Sequence, residues 1–143
     1  MNESDFDFDV ASALRDAIGS HLGLSDDFLK GGKIIHLFGM GKPTAATRAG
    51  MKLGYNPKQT AALLVVTEKF AFDEENKGFF KMFNSKATTK KNELEKLMVA
   101  FAPEIRSIKP DAIGLFAKTY FPLIQEATDE FNEGMAELRA AKR

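Results

Sequence analysis

The sequence predicts a mainly α-helical protein of four to six helices, the last of them long. Apolar residues recur at helical spacing through the last thirty or so positions, and glycine and proline divide the rest into short helical segments. A chain of 143 residues with 44% hydrophobic residues suits one domain that buries roughly 68–70% of its unfolded surface. This fold has room for a minor two-stranded β element built from residues 33–38 and 61–72, and the alternative is a small α/β domain in which both segments are true strands.

The N-terminal residues are strongly acidic. Asp5, Asp7 and Asp9 alternate with phenylalanine, but the pattern is too short for a strand, so residues 1–9 are expected to form an extended acidic arm. The next apolar residues lie on one face of a short helix, which we expect to end near Gly19. That face consists of Val10, Ala13, Leu14, Ala17 and Ile18.

Two helices are predicted in the middle of the chain. The first begins at Pro43, which suits the first helical position, and runs to about Leu53. Asn56 is a good N-cap and Pro57 a good first residue for the second, which runs towards Val66.

The loop before the first of these helices has the order Gly-Met-Gly-Lys, which can cradle phosphate at a helix N-terminus. It departs from the P-loop pattern at two positions. His36 replaces the first glycine, and Pro43 replaces the hydroxyl residue that would bind magnesium. A glycine-proline turn that starts a helix is therefore favoured over a phosphate site.

The helix-turn-helix order around residues 49–58 is similar to the DNA-binding motif of phage terminase small subunits. The resemblance covers this short stretch alone and is interrupted by residues 51–53. It implies base contacts from the second helix, whereas residues 61–66 are all apolar. A buried helical pair is the favoured interpretation.

A basic and aromatic segment follows at residues 77–91. This combination suits anionic lipid headgroups, a nucleic-acid backbone or an acidic protein surface. A solvated loop with phenylalanines turned into the core fits equally well. Among the functional interpretations we favour an acidic protein surface, such as residues 1–29, where seven carboxylates and one arginine give a net charge of −6. The candidate residues are Lys77, Phe79, Phe80, Lys81, Phe83, Lys86, Lys90 and Lys91.

The next helix is predicted to start with a capping box at Asn92 and to be divided by Pro103. The last helix, 110–141, would be about 48 Å long, which exceeds the diameter of a compact domain of this size. Pro122 is expected to bend it. Its apolar stripe continues almost to the end, so Phe131, Met135 and Leu138 are candidates for contact with a partner. The stripe consists of Ile113, Phe116, Tyr120, Ile124, Ala127, Phe131, Met135 and Leu138.

Residues for catalysis are scarce. The chain has no cysteine and only two histidines, and no serine lies in a nucleophile elbow. His36 lies in an apolar run and is expected in the core. We therefore predict no catalytic residue, no metal site and no cofactor. The chain has no long apolar run, and its acidic start does not resemble a signal peptide, which predicts a cytoplasmic protein or one in or on a virus particle assembled there.

These observations favour a non-enzymatic structural, assembly or interaction subunit of a larger complex, with a bacteriophage virion or accessory protein as the favoured context. The expected partner is a protein, with homo-oligomerisation or a larger assembly favoured. The expected organisation is the arm 1–9, a helical domain 10–109, and a long helix 110–143 packed on that domain or on a partner. The alternative function is a nucleic-acid-binding module that uses the basic segments 30–60 and 77–91.

Overall fold

The computed structural model describes residues 2–22, 32–77 and 85–141. Over these ranges the chain is helical, which confirms the mainly α prediction. The described residues include no strand, so the α/β alternative and the minor β element are wrong: segments 33–38 and 61–72 lie within helices. Within the described ranges there are seven helices, rather than the expected four to six: α1 (Glu3–Leu22), α2 (Gly32–Phe38), α3 (Lys42–Leu53), α4 (Pro57–Glu75), α5 (Ser85–Ala100), α6 (Ala102–Ser107) and α7 (Pro110–Ala141).

Helix α1 corrects the expected extended arm, because residues 3–9 form its first two turns. The side chain of Asn2 accepts a hydrogen bond from the backbone N–H of Asp5 at 2.8 Å. The negative charges of Glu3 and Asp5 in the first turn also stabilise the helix, because they lie at the positive end of its dipole. The apolar face predicted further along therefore starts four residues earlier, at the buried Phe6. The helix continues through Gly19 to Leu22.

Helices α3 and α4 begin where capping residues predict, and α3 also ends as predicted, whereas α4 continues past the expected Val66 to Glu75. Pro43 lies in the first turn of α3, and the left-handed Gly54 (φ 84°) ends that helix. Asn56 forms a complete capping box with Gln59, whose backbone N–H donates to Asn56 Oδ1 at 2.7 Å and whose side chain accepts from the Asn56 N–H at 3.1 Å.

Helix α4 is the centre of the molecule. Every residue from Thr60 to Glu68 is buried, because α1, α3, α5, α6 and α7 all pack around it. Its contact with α3 is close: a Cβ at Gly50 would lie 2.0 Å from Thr60 Oγ1, so glycine allows the two helices to approach.

The last three helices follow the predicted order with one correction. Helix α5 begins at Ser85 rather than at Asn92, which lies exposed inside it. Pro103 sits in the first turn of α6 and divides it from α5, as predicted. Helix α7 has the predicted bounds, with Pro122 inside it. No helix in the described ranges is both long and apolar enough to cross a membrane.

Candidate functional site

The last turns of α7 extend past the helical body. Phe116, Tyr120 and Ala127 are buried, whereas every residue from 129 to 141 is exposed. We call residues 129–141 the α7 end. The predicted apolar stripe continues along it, with Phe131 40%, Met135 37% and Leu138 57% exposed. The structure thus places these three predicted contact residues together on one solvent-facing helix surface.

The base of the α7 end is held by Arg48 of α3. The guanidinium donates to Glu130 Oε2 at 2.5 Å, to Glu3 Oε1 at 2.7 Å and to Glu126 Oε1 at 3.5 Å. Its hydrogen bonds, first to Glu130 and then to Glu3, raise the pKa of Arg48 further above its ordinary value. One cation therefore joins α1, α3 and α7 where α7 leaves the body.

A buried polar cluster lies on the body side of α7. Glu68, only 3% exposed, accepts a hydrogen bond from the Tyr120 hydroxyl at 2.5 Å and another from Lys42 Nζ at 3.0 Å. Burial, and then the negative charge of Glu68, raise the pKa of Tyr120 far above its ordinary value. Both carboxylate oxygens have donors, so the cluster joins α3, α4 and α7 as a satisfied polar contact.

The glycine-rich loop before α3 is covered by α7. The hydroxyl of Thr128 donates to the Met40 carbonyl at 3.1 Å, and a Cβ at Gly41 would lie 2.7 Å from the Thr128 backbone nitrogen. Lys42, the cation a phosphate would need, is bound to Glu68. The arrangement fits a turn that starts a helix and leaves no open phosphate cradle among these residues.

In the segment that resembles a helix-turn-helix, the second helix, α4, is not exposed as base contacts would require. Residues 60–68 of α4 are buried, so they form the expected buried pair with α3. Cations of the basic segment 30–60 also face carboxylates: besides Lys42 and Arg48, Lys58 Nζ lies 3.2 Å from Glu104 Oε1.

The basic and aromatic segment is described only in part. Phe79, Phe80, Lys81 and Phe83 lie outside the described residues, as does the side chain of Lys86. Lys77 is exposed and lies 2.9 Å from a carboxylate oxygen of Glu74. The Lys90 ammonium lies 5.7 Å from the centroid of the Phe72 ring, and Lys91 is half-buried.

The acidic residues of α1 contact α3 rather than the described part of segment 77–91. Asp7 Oδ1 accepts a hydrogen bond from Thr47 Oγ1 at 2.7 Å, next to the pair of Glu3 with Arg48. Asp5 is exposed and Asp9 is half-buried. The contact expected between the acidic residues and the basic segment 77–91 stays a prediction, and the described ion pair of this region joins Glu3 to Arg48 instead.

A groove that the sequence analysis missed lies beside α1. It is open to solvent, has a volume of about 570 Å³, and its far wall is formed by residues 56–58 and 100–101. One pattern could have indicated it, since small and acidic residues recur at helical spacing on one side of α1. These are Asp9, Ser12, Ala13, Asp16, Ala17 and Ser20.

The histidines do not form a site. His36 is exposed, which corrects its expected place in the core: it faces outward while its neighbours Ile34 and Leu37 point inward. His21 is also exposed. In the described part of the chain, no three histidine, aspartate or glutamate side chains come together as a metal site would require.

The chain matches no protein-family model, and no curated protein or solved structure shows significant similarity to it.

Proposed function

We propose that this chain is a non-enzymatic assembly subunit that binds other copies of itself through the α7 end. The observation that supports this function is the continuity of one stripe, which is buried or half-buried up to Ala127 and exposed from Phe131 to Leu138. Where an apolar stripe continues beyond the core of its own chain, its side chains are stabilised only when another surface covers them and removes them from water.

The size of that gain limits the kind of contact. Fully burying a large apolar side chain contributes roughly 1.5–3 kcal/mol, and about half of each of the three side chains is still exposed. Covering Phe131, Met135 and Leu138 would therefore contribute roughly 2–4 kcal/mol, which is too little for a stable pair. The partner must also contact the surface around the stripe.

The wider context is part of the proposal. A small chain without a catalytic motif, with an apolar helix end and charged flanks, suits a structural component of a larger particle. From these features we favour a bacteriophage virion or accessory protein, in a particle assembled in the cytoplasm.

Sedimentation velocity and light scattering over a wide concentration range test the function. The wild-type chain should associate, and Leu138→Asp should shift it to the monomer. Ala136→Asp is the matched control, since it places the same charge two residues away on the opposite side of α7. Circular dichroism checks that both variants keep their helix content. A wild-type chain that stays monomeric at every concentration would overturn the proposal.

We favour the alternative of a nucleic-acid-binding module less, because Lys42, Arg48 and Lys58 of the basic segment 30–60 are paired with carboxylates, which leaves the exposed Lys52 as the described cation of that segment with no ion pair. A mobility-shift titration at rising salt separates the two functions. Binding at low salt that weakens steeply as salt rises would support the alternative.

A further inference from the structure

We infer that two copies pair through their α7 ends in antiparallel orientation, so that the tip of each helix reaches the helical body of the other copy. This inference rests on the proposed function and names the geometry of that contact. A two-fold symmetric contact of this kind closes on itself, so it predicts a dimer.

The position of the body rules against a parallel pair. The exposed stripe of Phe131, Met135 and Leu138 continues the stripe by which α7 packs on the body up to Ala127. The body therefore lies on the same side of α7 as the exposed side chains. In a parallel pair with facing stripes, the two bodies would have to occupy the same space beside the helices. An antiparallel pair places the bodies at opposite ends, so that only the α7 ends overlap.

The α7 end is suited to lie against a reversed copy of itself. Its exposed residues run from 129 to 141, and their midpoint is Met135, which is also the central residue of the stripe. When the two Met135 side chains meet, Phe131 of each copy lies beside Leu138 of the other. One contact thus covers both stripes, which removes twice as much apolar surface from water as covering one stripe alone.

The body offers further apolar surface within reach of the second helix. The Met40 carbonyl accepts the hydrogen bond from Thr128, one turn before Phe131, and the Met40 side chain is 44% exposed. In the antiparallel register, residues 138–141 of the second copy come to the level of residues 129–132, beside this loop. Met40 therefore supplies part of the contact around the stripe that the three apolar side chains need.

Charge also favours the antiparallel orientation. Residues 126–137 carry five carboxylates and no cation, whereas residues 139–143 carry three cations and no carboxylate. Where α7 leaves the body, Arg48 is one cation among three carboxylates. Antiparallel pairing brings to that level the exposed Arg139, which forms no ion pair with another described residue. A parallel pair would instead join like charges at both ends of the contact.

The carboxylates of the α7 end do not oppose the contact, because they lie away from the stripe. With about 3.6 residues per turn, all four are roughly 100° or more around the helix from the centre of the stripe. They point towards the outer sides of the pair, where the distance between the two copies' carboxylates exceeds the Debye length of about 8 Å. These residues are Asp129, Glu130, Glu133 and Glu137.

Distances between spin labels test the orientation. The chain has no cysteine, so Lys118→Cys places a single label at an exposed position of α7. In the antiparallel pair the two labels should lie about 50 Å apart, because each is about 17 residues from the midpoint at about 1.5 Å per residue. The matched label at Ala136→Cys, near the midpoint on the outer side of the helix, should give about 20–25 Å. Double electron–electron resonance measures both distances.

Charge reversal tests the contact of the tip with the body. Arg139→Glu/Lys142→Glu should weaken association about tenfold or more, since symmetry repeats each change in both halves of the pair. Arg106→Glu/Lys109→Glu is the matched control, with the same changes at the same spacing on two exposed residues just before α7. The control should associate like the wild type. Unchanged association of the tip variant would overturn the antiparallel contact.

The outcomes separate the two proposals. If the Lys118 labels lie closer than about 30 Å in a sample that Leu138→Asp converts to monomers, the antiparallel geometry is wrong and the proposed function stands. If Leu138→Asp associates like the wild type, the proposed function fails and the inference fails with it.

Discussion

Replacing Tyr120 by phenylalanine should destabilise the protein, although the change removes only one oxygen atom. The Tyr120 hydroxyl donates to a Glu68 carboxylate that is 3% exposed and that no water can easily reach. A hydrogen bond to a charged group contributes about 1.5–3 kcal/mol. Lys42 still neutralises the carboxylate in the variant, so the loss of unfolding free energy should lie near the lower end, at about 2 kcal/mol.

Urea denaturation followed by circular dichroism measures this difference. Tyr55→Phe is the matched control, because Tyr55 is half-buried and its phenol forms no hydrogen bond with another described residue. The control should lie within about 0.5 kcal/mol of the wild type. An equally small loss in Tyr120→Phe would show that the Glu68 cluster does not stabilise the fold.

The same variant gives a second measurement at high pH. Burial and Glu68 raise the pKa of Tyr120 in the folded protein, whereas the unfolded chain releases this proton at about pH 10. The folded state therefore holds more protons above that pH, and wild-type stability should fall by about 1.4 kcal/mol per pH unit relative to Tyr120→Phe. Below pH 10 the wild type should therefore be more stable than Tyr120→Phe by the whole of the expected difference of about 2 kcal/mol, and this difference should fall to zero by about pH 11–12. A difference that stays constant across this range would refute the buried, neutral phenol.

Three further substitutions test the packing of α3 against α4, the open surface of α7 and the capping of α4. Gly50→Ala should cost about 1–3 kcal/mol or more of unfolding free energy, because the new methyl group would lie 2.0 Å from Thr60 Oγ1. Gly114→Ala, which meets open space inside α7, should instead stabilise by about 0.5–1 kcal/mol, and a loss of stability there would contradict the reasoning. Asn56→Ala removes the acceptor for the Gln59 N–H and should cost about 1 kcal/mol, measured in the same urea titration; no change would mean that the capping box is not formed in solution.

The elements that the sequence predicted well depend on local chemistry. Asn56 and Pro57 are adjacent, and their preference for a helix start needs no knowledge of the rest of the fold. Pro103 excludes a continuous helix for the same kind of reason. The bounds of α7 followed from a periodicity sustained over many turns, which few competing structures can satisfy.

The features that were missed depend on contacts between distant residues. Glu68 looks like an ordinary charged helix residue, and its burial requires Lys42 and Tyr120, which lie 26 and 52 residues away along the chain. The helical start of α1 is the exception, because the Asn2 cap that favours it is a local contact with Asp5, whereas the alternation of aspartate and phenylalanine indicated extended chain. The groove depends on residues of α1 and on segments 56–58 and 100–101, so its α1 pattern alone carried little information.

Helix α7 carries both a prediction about the fold, which concerns its buried part, and a prediction about a partner, which concerns its exposed end. Up to Ala127 each residue of its predicted apolar stripe packs in or against the core of the chain. Beyond that point the same spacing continues with Phe131, Met135 and Leu138, although these exposed side chains add little to the stability of the folded single chain. Exposed apolar side chains at regular spacing favour association in water. The part of the stripe that the fold leaves uncovered is therefore the part that carries the functional proposal.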